Sequence, residues 1–187
     1  VALFHGGSLR FTGVVGLGGQ NISRDVATLL GTPYDQAEGI KKEKGVAMRS
    51  LILDEDIPLS PVGAQSPRGV SRAFVADVIE ARMEEIFEAV QKKIIPTGYL
   101  DLLGGGIVLT GGGALLTSCE HLCEKVFGLP VVCRHPEGMA GLGEAVQSPI
   151  YATGVGIVKY LVQQEQAHTR VEHQRGIWQR ICTWILG

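Results

Sequence analysis

A glycine turn at Gly111, Gly112 and Gly113 offers the most favourable setting for ligand chemistry in this chain of 187 residues. The apolar and β-branched residues before it, Ile107 to Thr110, predict a short buried strand. Because glycine has no Cβ, the turn can adopt positive φ, and a flat ligand can approach its peptide planes closely. A helix N-terminus beyond the turn would favour an anion. The pattern therefore predicts a contact with a nucleotide's base, sugar or phosphate. A tight structural turn is the alternative.

A second pair of residues that could contact a ligand lies on a helix predicted from Tyr34 to Lys44. Thr32 and Pro33 precede it as an N-cap and a first helical residue. Glu38 and Lys41 are three residues apart, so both side chains can face one side and reach a ligand's hydroxyl groups. A solvated ion pair explains the same spacing.

The elements that must position these residues predict an α/β chain. Two strands, Val1–Phe4 and Leu9–Val15, read as a hairpin. A helix is expected from Ser23 to Leu30, with Gly31 as its stop and with one apolar face made of Ile22, Val26, Leu29 and Leu30. Farther along, Phe74 to Ile95 is the clearest helix, and Val131 to Cys133 is a further strand.

Capping signals predict two more helices. Thr117 and Glu120 have capping-box spacing, which places a helix from there to Phe127. The pair Ser148-Pro149 begins another helix, which continues to about Val162.

The helix from Phe74 to Ile95 has an apolar stripe and an acidic remainder. The stripe residues recur at spacings of three and four and predict burial: Val75, Val78, Ile79, Met83, Ile86, Phe87, Val90 and Ile94. Arg82 is a basic exception on the acidic part, and structural ion pairing is the plain explanation for it. The helix should therefore pack on a core through one face.

Composition limits the classes of function. A hydrophobic fraction of 45% is ample for a packed core, whereas a net charge of −2 argues against wholesale nucleic-acid binding. The first residues do not predict a secretory signal, and no apolar run reaches the roughly 18 residues that a transmembrane helix needs. Cys119 and Cys123 are four residues apart, but no set of His and Cys completes a zinc site, so buried reduced thiols and no metal are expected.

The last 25 residues change in character. Residues 163–175 are polar and predict a flexible linker, and residues 176–187 predict a short amphipathic helix. Its apolar face comprises Ile177, Trp178, Ile181, Trp184 and Ile185. Because Trp suits the headgroup region and no core is evident for this helix, a membrane-surface anchor is favoured. Docking on its own domain or on a partner is the alternative.

Four stretches carry a specific pattern: GLGGQNISRDVATLLGTPYDQAEGIKKEKG at Gly16–Gly45, VIEARMEEIF at Val78–Phe87, GIVLTGGGALL at Gly106–Leu116 and GLGEAVQSPIYATGVGIVKY at Gly141–Tyr160. In this order they resemble the second half of the FtsA family of actin-like bacterial division proteins. The likeness covers nearly the whole chain and includes the terminal amphipathic helix.

The resemblance implies the second half of an actin/Hsp70-like ATPase fold. Residues 1–45 and 105–162 would form the nucleotide-facing subdomain, and residues 46–104 an inserted outer subdomain. By resemblance, Glu38 and Lys41 would contact the ribose or adenine of ATP. The glycine turn would pass along the nucleotide.

The resemblance also implies partners and a location. The outer subdomain would receive the C-terminal peptide of FtsZ, with Arg82 as a candidate contact because an acidic peptide with apolar anchors suits a lone Arg. The terminal helix would bind an anionic membrane surface, and the protein would assemble with itself as an actin-like filament. It would act at the division septum, on the cytoplasmic face of the inner membrane.

Two features depart from the family pattern. The family's phosphate-binding Asp-Ile-Gly-Gly-Gly-Thr stretch would fall before Val1, so this chain alone is expected to lack catalysis, with Mg²⁺ and ATP bound in the full-length protein. The terminal helix is also weakly basic, with Arg180 alone inside it. Competing interpretations are another actin-fold ATPase, Hsp70-like or a sugar kinase, and a pilus or microcompartment actin homologue.

Overall fold

The structure is a computed structural model, in which the chain divides into two compact units, Val1–Arg134 and His135–Gly187. The residues that it describes are 1–53, 55–59, 68–138 and 146–166.

Six strands in the described part of the chain form three two-stranded sheets. The pairs are β1 (Ala2–His5) with β2 (Ser8–Thr12), β3 (Asp56–Leu59) with β4 (Arg68–Ser71), and β5 (Ile107–Leu109) with β6 (Val131–Cys133). The first two pairs are antiparallel hairpins, and the third pair is parallel.

Five α-helices accompany these strands among the described residues. They are α1 (Gly19–Leu30), α2 (Tyr34–Lys44), α3 (Arg72–Ile94), α4 (Cys119–Phe127) and α5 at residues 152–166. Short 3-10 turns lie at Arg49–Leu51, Ile95–Thr97, Leu100–Leu102, Gly112–Leu115 and Pro149–Tyr151.

The core of the first unit lies where α1, α2, α3, α4 and the β3–β4 hairpin meet. Helix α3 supplies the predicted apolar stripe, with Val75, Ile79, Met83 and Phe87 buried. The other helices contribute Ile22, Val26, Leu30, Ala37, Ile40, Cys119, Leu122 and Cys123. At roughly 25 cal/mol per Å² of buried apolar surface, this shared cluster is the main source of stability for the helices around the candidate site.

Helix α1 begins four residues before the predicted start, because Gly18 and Asn21 supply the N-terminal hydrogen bond. The Gly18 amide donates to the Asn21 side chain at 2.9 Å. At the other end Gly31 adopts the left-handed conformation, as the sequence predicts. Leu29 was expected on the buried face but is exposed.

The capping box predicted for α4 is wrong. The N-cap is Ser118, which has a φ of 64° and makes no side-chain capping bond. The Glu120 carboxylate instead accepts a hydrogen bond from the backbone amide of Cys133. Glu120 thus fastens α4 to β6 rather than closing the helix start.

Helix α4 is the crossover that joins the parallel strands β5 and β6, since parallel neighbours cannot be joined by a tight hairpin. The Arg134 amide extends the ladder by donating to the Leu109 carbonyl at 2.9 Å. The prediction that β5 is buried is wrong at Val108, which is 61% exposed, while Ile107 and Leu109 are partly buried. The described part of this sheet has two strands, and one face of β5 has no covering layer there.

The second unit is described by residues 135–138 and 146–166. A 3-10 turn with Pro149 at its start leads into α5, which extends through residue 166 and so continues into the first residues of the predicted linker. Within this unit Lys159 donates to the Glu137 carbonyl. Of the described helices, none combines the length and hydropathy that a membrane crossing requires.

Candidate functional site

A compact set of polar groups lies between α1 and α2, and we call it the α1–α2 polar cluster. Its members are the Gly19 carbonyl and the side chains of Ser23, Glu38 and Lys41. The Lys41 Nζ lies 2.6 Å from Glu38 Oε2, 2.8 Å from Ser23 Oγ and 3.0 Å from the Gly19 carbonyl oxygen. The Ser23 hydroxyl also hydrogen-bonds with Glu38. The spacing of Glu38 and Lys41 thus does bring them together, on the side of α2 that faces α1.

Lys41 is satisfied by protein groups in this cluster. An ammonium group has three protons to donate, and three acceptors surround Nζ. The residue is buried, as is Ser23, which has no exposed surface. In this arrangement Lys41 holds two helices together and orients Glu38.

Glu38 remains partly accessible. Partial burial would raise the pKa of its carboxyl, but hydrogen bonds from Lys41, Ser23 and Lys42 outweigh that effect and lower the pKa to about 2. Oxygen Oε1 is paired with Lys42 Nζ at 3.1 Å, and the Glu38 side chain is 23% exposed. An ionised carboxylate with spare acceptor capacity can receive a hydrogen bond from a sugar hydroxyl.

The glycine turn follows β5 as predicted. Gly111 has a φ of 89°, which favours glycine, and Gly112 and Gly113 open the 3-10 turn. A Cβ placed on Gly111 or Gly113 would meet no atom within 4 Å, so space is open beside both residues. The turn therefore leaves room for a flat group to approach its backbone.

The end of α2 lies against the chain that follows the glycine turn. A Cβ on Gly45 would overlap the Lys41 carbonyl oxygen and lie 3.1 Å from the Leu116 side chain. One residue on, Val46 forms a parallel bridge with Thr117, and the Ala47 amide donates to the Thr117 carbonyl at 2.8 Å. This close approach, which requires glycine at position 45, links the polar cluster to the glycine turn within one unit.

These residues fit part of a nucleotide site. The turn offers open backbone at Gly111 and Gly113, and Glu38 offers an ionised acceptor for hydroxyl groups. Lys41, by contrast, is committed to protein acceptors. The arrangement suits recognition of a ribose or a base more than chemistry at a phosphate, because Ser23 has no exposed surface and Lys41 is committed to protein acceptors.

A second candidate site is an open groove between α1 and α3, which we call the Arg82 groove. Its volume is about 390 Å³. The lining residues are Asp25, Thr28, Leu29, Val78, Ala81, Arg82 and Glu85. Apolar side chains from both helices thus lie beside a small group of charges.

Arg82 is ion-paired in this groove, as the plain explanation of its presence on α3 predicts. Its Nε lies 2.5 Å from Asp25 Oδ2, and its Nη1 donates to Glu85. The hydrogen bond to Asp25 is the main reason that the pKa of Arg82 is raised further above its already high value. The Arg82 side chain is still 26% exposed, so a ligand can reach it.

The cysteines behave as structural thiols among the described residues. Cys119 and Cys123 are free and buried, and burial raises the pKa of both thiols to about 12. Cys133 is also free. In residues 1–53, 55–59, 68–138 and 146–166, no cluster of His, Cys, Asp and Glu could hold a metal ion.

The predicted membrane-binding face lies outside the described residues. Its members are Ile177, Trp178, Ile181, Trp184 and Ile185, and Cys182 lies in the same stretch. The predicted amphipathic helix therefore stays a prediction from the sequence.

Several residues of the two sites are not identified by the sequence. It predicts Ser23 as a helix start and Leu29 as a residue of the buried face, and it indicates no role for Asp25 or Glu85. Ser23 and Asp25 are two residues apart, and a helix turns by about 200° over that interval. This spacing was the available signal that α1 presents polar groups on two sides.

Comparison with protein families finds a match along most of the chain. The family described as "Cell division protein FtsA" matches residues 1–156. The Cell division protein FtsA of Pseudomonas aeruginosa is 34% identical over 198 residues, covering 100% of this chain and 48% of that protein. The FtsA of Escherichia coli is 33% identical, with 99% of this chain and 47% of that protein covered. The chain spans about half the length of these curated relatives.

Solved structures of actin-like proteins share the fold. MreB5 of Spiroplasma citri bound to ADP superposes with a TM-score of 0.63 at 16% identity, covering 86% of this chain and 50% of that one. The same protein bound to AMPPNP gives a TM-score of 0.60 at 15% identity, covering 83% and 47%. The predicted α/β fold, part of an actin-like architecture, is confirmed.

Proposed function

The chain belongs to the FtsA family of actin-like cell division proteins, and from that premise we propose that it tethers FtsZ filaments to the cytoplasmic membrane. The family match along residues 1–156 is the observation that carries the proposal. The tether has two ends in this chain, a peptide-binding groove on α1 and α3 and the apolar face of residues 176–187. Its place of action is the division septum, on the inner face of the membrane.

Nucleotide binding forms part of the proposal. The solved MreB5 structures hold ADP or AMPPNP, and this chain places the glycine turn and Glu38 within one compact unit. The Glu38 carboxylate would accept from the sugar hydroxyls, Lys41 would hold that carboxylate in place, and Gly111 to Gly113 would lie along the nucleotide. ATP would supply the switch for actin-like self-assembly of the complete protein, with Mg²⁺ on its phosphates.

The Arg82 groove is the proposed site for the C-terminal peptide of FtsZ. The partly exposed guanidinium of Arg82 can donate to a carboxylate, and Leu29 and Val78 offer apolar contacts next to it. A peptide that combines acidic and apolar side chains would use both features. The proposed contact at Arg82 is therefore chemically consistent with the groove.

Co-sedimentation with anionic liposomes tests the tether. We expect the 187-residue chain to carry an FtsZ C-terminal peptide into the lipid pellet, and we expect removal of residues 176–187 to leave both in solution. A chain that still pellets after this removal would exclude the terminal helix as the anchor.

Matched variants separate the two ends of the tether. Trp184→Glu is expected to release the chain from lipid, whereas Thr183→Glu, which lies off the predicted apolar face, is expected to change little. Arg82→Glu is expected to abolish peptide binding while lipid binding persists. Arg49→Glu, a charge reversal on another exposed arginine outside the groove, is the control. Unchanged peptide affinity in the Arg82 variant would remove this residue from the site.

A further inference from the structure

The charges of the Arg82 groove do not by themselves favour an acidic peptide. Its lining contains two carboxylates, Asp25 and Glu85, and one guanidinium, Arg82. With all three ionised, the local sum is one negative charge, which opposes the approach of another carboxylate. An acidic partner must therefore compete with groups that the protein already places on Arg82.

Asp25 is the stronger of the two internal partners. Its carboxylate lies 2.5 Å from Arg82 Nε, and its side chain is 28% exposed, whereas Glu85 is 54% exposed and lies on the same helix as Arg82. Asp25 comes from α1, so this pair also joins the two walls of the groove. A less exposed carboxylate is screened less by water and salt than a more exposed one.

Arg82 nevertheless keeps donors for a ligand. A guanidinium has five N–H groups, and the contacts to Asp25 and Glu85 occupy Nε and Nη1. Among the described residues, none accepts a hydrogen bond from Nη2. A carboxylate of the partner can thus share Arg82 with Asp25 at this open edge.

We propose that Asp25 is a specificity residue that competes with the partner's carboxylate for Arg82 and restricts the groove to peptides whose apolar side chains also fit. The inference rests on the proposed peptide binding. Apolar contacts with Leu29, Val78 and Ala81 supply the attraction that the charges lack. Asp25 weakens the binding of a peptide with acidic residues alone, whereas a peptide with both features is retained.

Peptide affinity measured by fluorescence anisotropy tests the proposal with the full 187-residue chain. The probe is the FtsZ C-terminal peptide, with a second version in which every Asp and Glu is replaced by Asn and Gln. We expect Asp25→Asn to tighten binding of the acidic peptide roughly threefold to fivefold at low salt. The gain is modest because the Asp25–Arg82 ion pair that the substitution removes is partly exposed to water. We expect the gain to vanish at high salt and to be absent for the neutral peptide.

Two variants serve as controls. Glu85→Gln removes the more exposed partner and is expected to give a smaller gain, which also provides a test if Asp25→Asn fails to fold. Asp35→Asn removes an exposed carboxylate outside the groove and is expected to leave affinity unchanged.

The outcomes separate the two proposals. If the wild-type chain binds the acidic peptide and neither Asp25→Asn nor Glu85→Gln binds it more tightly, the role of Asp25 is overturned and the proposed peptide site remains. An equal gain for the neutral peptide would also overturn it, because Asp25 would then act by closing the groove. If neither the wild-type chain nor any variant binds the acidic peptide, both the proposed peptide site and this inference are overturned.

Discussion

The α1–α2 polar cluster and the Arg82 groove contain the same kinds of group but use them differently. In the cluster, Lys41 is buried and its three donors meet three protein acceptors. In the groove, Arg82 is partly exposed, and its bonds to Asp25 and Glu85 leave donors for a ligand. A buried cation without a partner is costly, whereas an exposed one loses little when a partner leaves. Lys41, whose donors are all used by protein acceptors, thus has a structural role, whereas Arg82, which keeps free donors, can bind a ligand.

The substitution with the largest expected effect on this contrast is Lys41→Met. Removing a buried cation leaves the Glu38 carboxylate and the Ser23 hydroxyl with fewer partners, so we expect the free energy of unfolding to fall by about 3 kcal/mol. Urea unfolding followed by circular dichroism measures it. Lys42→Met is the matched control, because Lys42 also pairs with Glu38 but is 69% exposed, and we expect a change within about 0.5 kcal/mol. Equal effects of the two variants would contradict the contrast.

Acid should weaken the cluster through Glu38. The folded-state pKa of about 2 lies below the ordinary value of 4.5, so ionised Glu38 stabilises the fold above pH 4.5, and this contribution is lost as the pH falls toward 2. We expect the stability difference between wild type and Glu38→Gln to shrink by about 2 kcal/mol over that window. Urea unfolding at several pH values measures it. Glu43→Gln, on the exposed side of the same helix, should follow wild type, and a difference independent of pH would refute this assignment.

Ser23→Ala tests how much a single buried hydroxyl contributes to the stability of the α1–α2 polar cluster. Because Ser23 is fully buried and contacts both Lys41 and Glu38, we expect a loss of about 1.5 kcal/mol in the free energy of unfolding. Thr28→Ala removes an exposed hydroxyl from the same helix, one that donates to the Arg24 carbonyl, and should cost about 0.5 kcal/mol or less. Thermal unfolding of both variants gives the comparison. A Ser23 variant as stable as the Thr28 variant would show that the hydroxyl is dispensable.

The smallest expected change is that of Arg82→Met. Its partners Asp25 and Glu85 can return to water, so the free energy of unfolding should fall by less than about 1 kcal/mol. Chemical unfolding beside Lys41→Met makes the measurement. A loss as large as that of the Lys41 variant would mean that Arg82 is a structural residue and would weaken its candidacy as a ligand contact.

Local rules were sufficient for elements whose signals lie within the element. The predicted bounds of α2, Tyr34 to Lys44, agree with the structure, as do those of β6, because a proline near the start, a glycine stop and a short β-branched run are local signals. The predicted N-cap of α2 is wrong, since Pro33 occupies that position instead of Thr32 and no side chain caps the helix. The stripe on α3 was predicted for the same reason, since its spacing alone identifies the buried face.

Contacts between secondary-structure elements could not be predicted from the sequence. Glu120 has the spacing of a capping box, yet its carboxylate bonds to β6, a partner that becomes available only after the crossover forms. Ser23 resembled a helix start because serine is a common N-cap, but the buried lysine opposite it stabilises it inside the helix. The spacing of Glu38 and Lys41 predicts that they form a pair. The hydrogen bonds from Lys41 to α1 could not be predicted, because they depend on where α1 lies relative to α2. The roles of these residues in nucleotide binding stay a prediction.

Helix α1 contributes Ser23 to the polar cluster and Asp25 to the Arg82 groove, from opposite sides of a single helical turn. For a geneticist, this shared wall means that a defect on one side can be corrected from the other. A substitution at position 23 that shifts or rotates α1 slightly also moves Asp25 relative to Arg82. A screen for second-site suppressors of an Arg82 defect should therefore recover changes on the cluster side of α1, as well as changes in the groove.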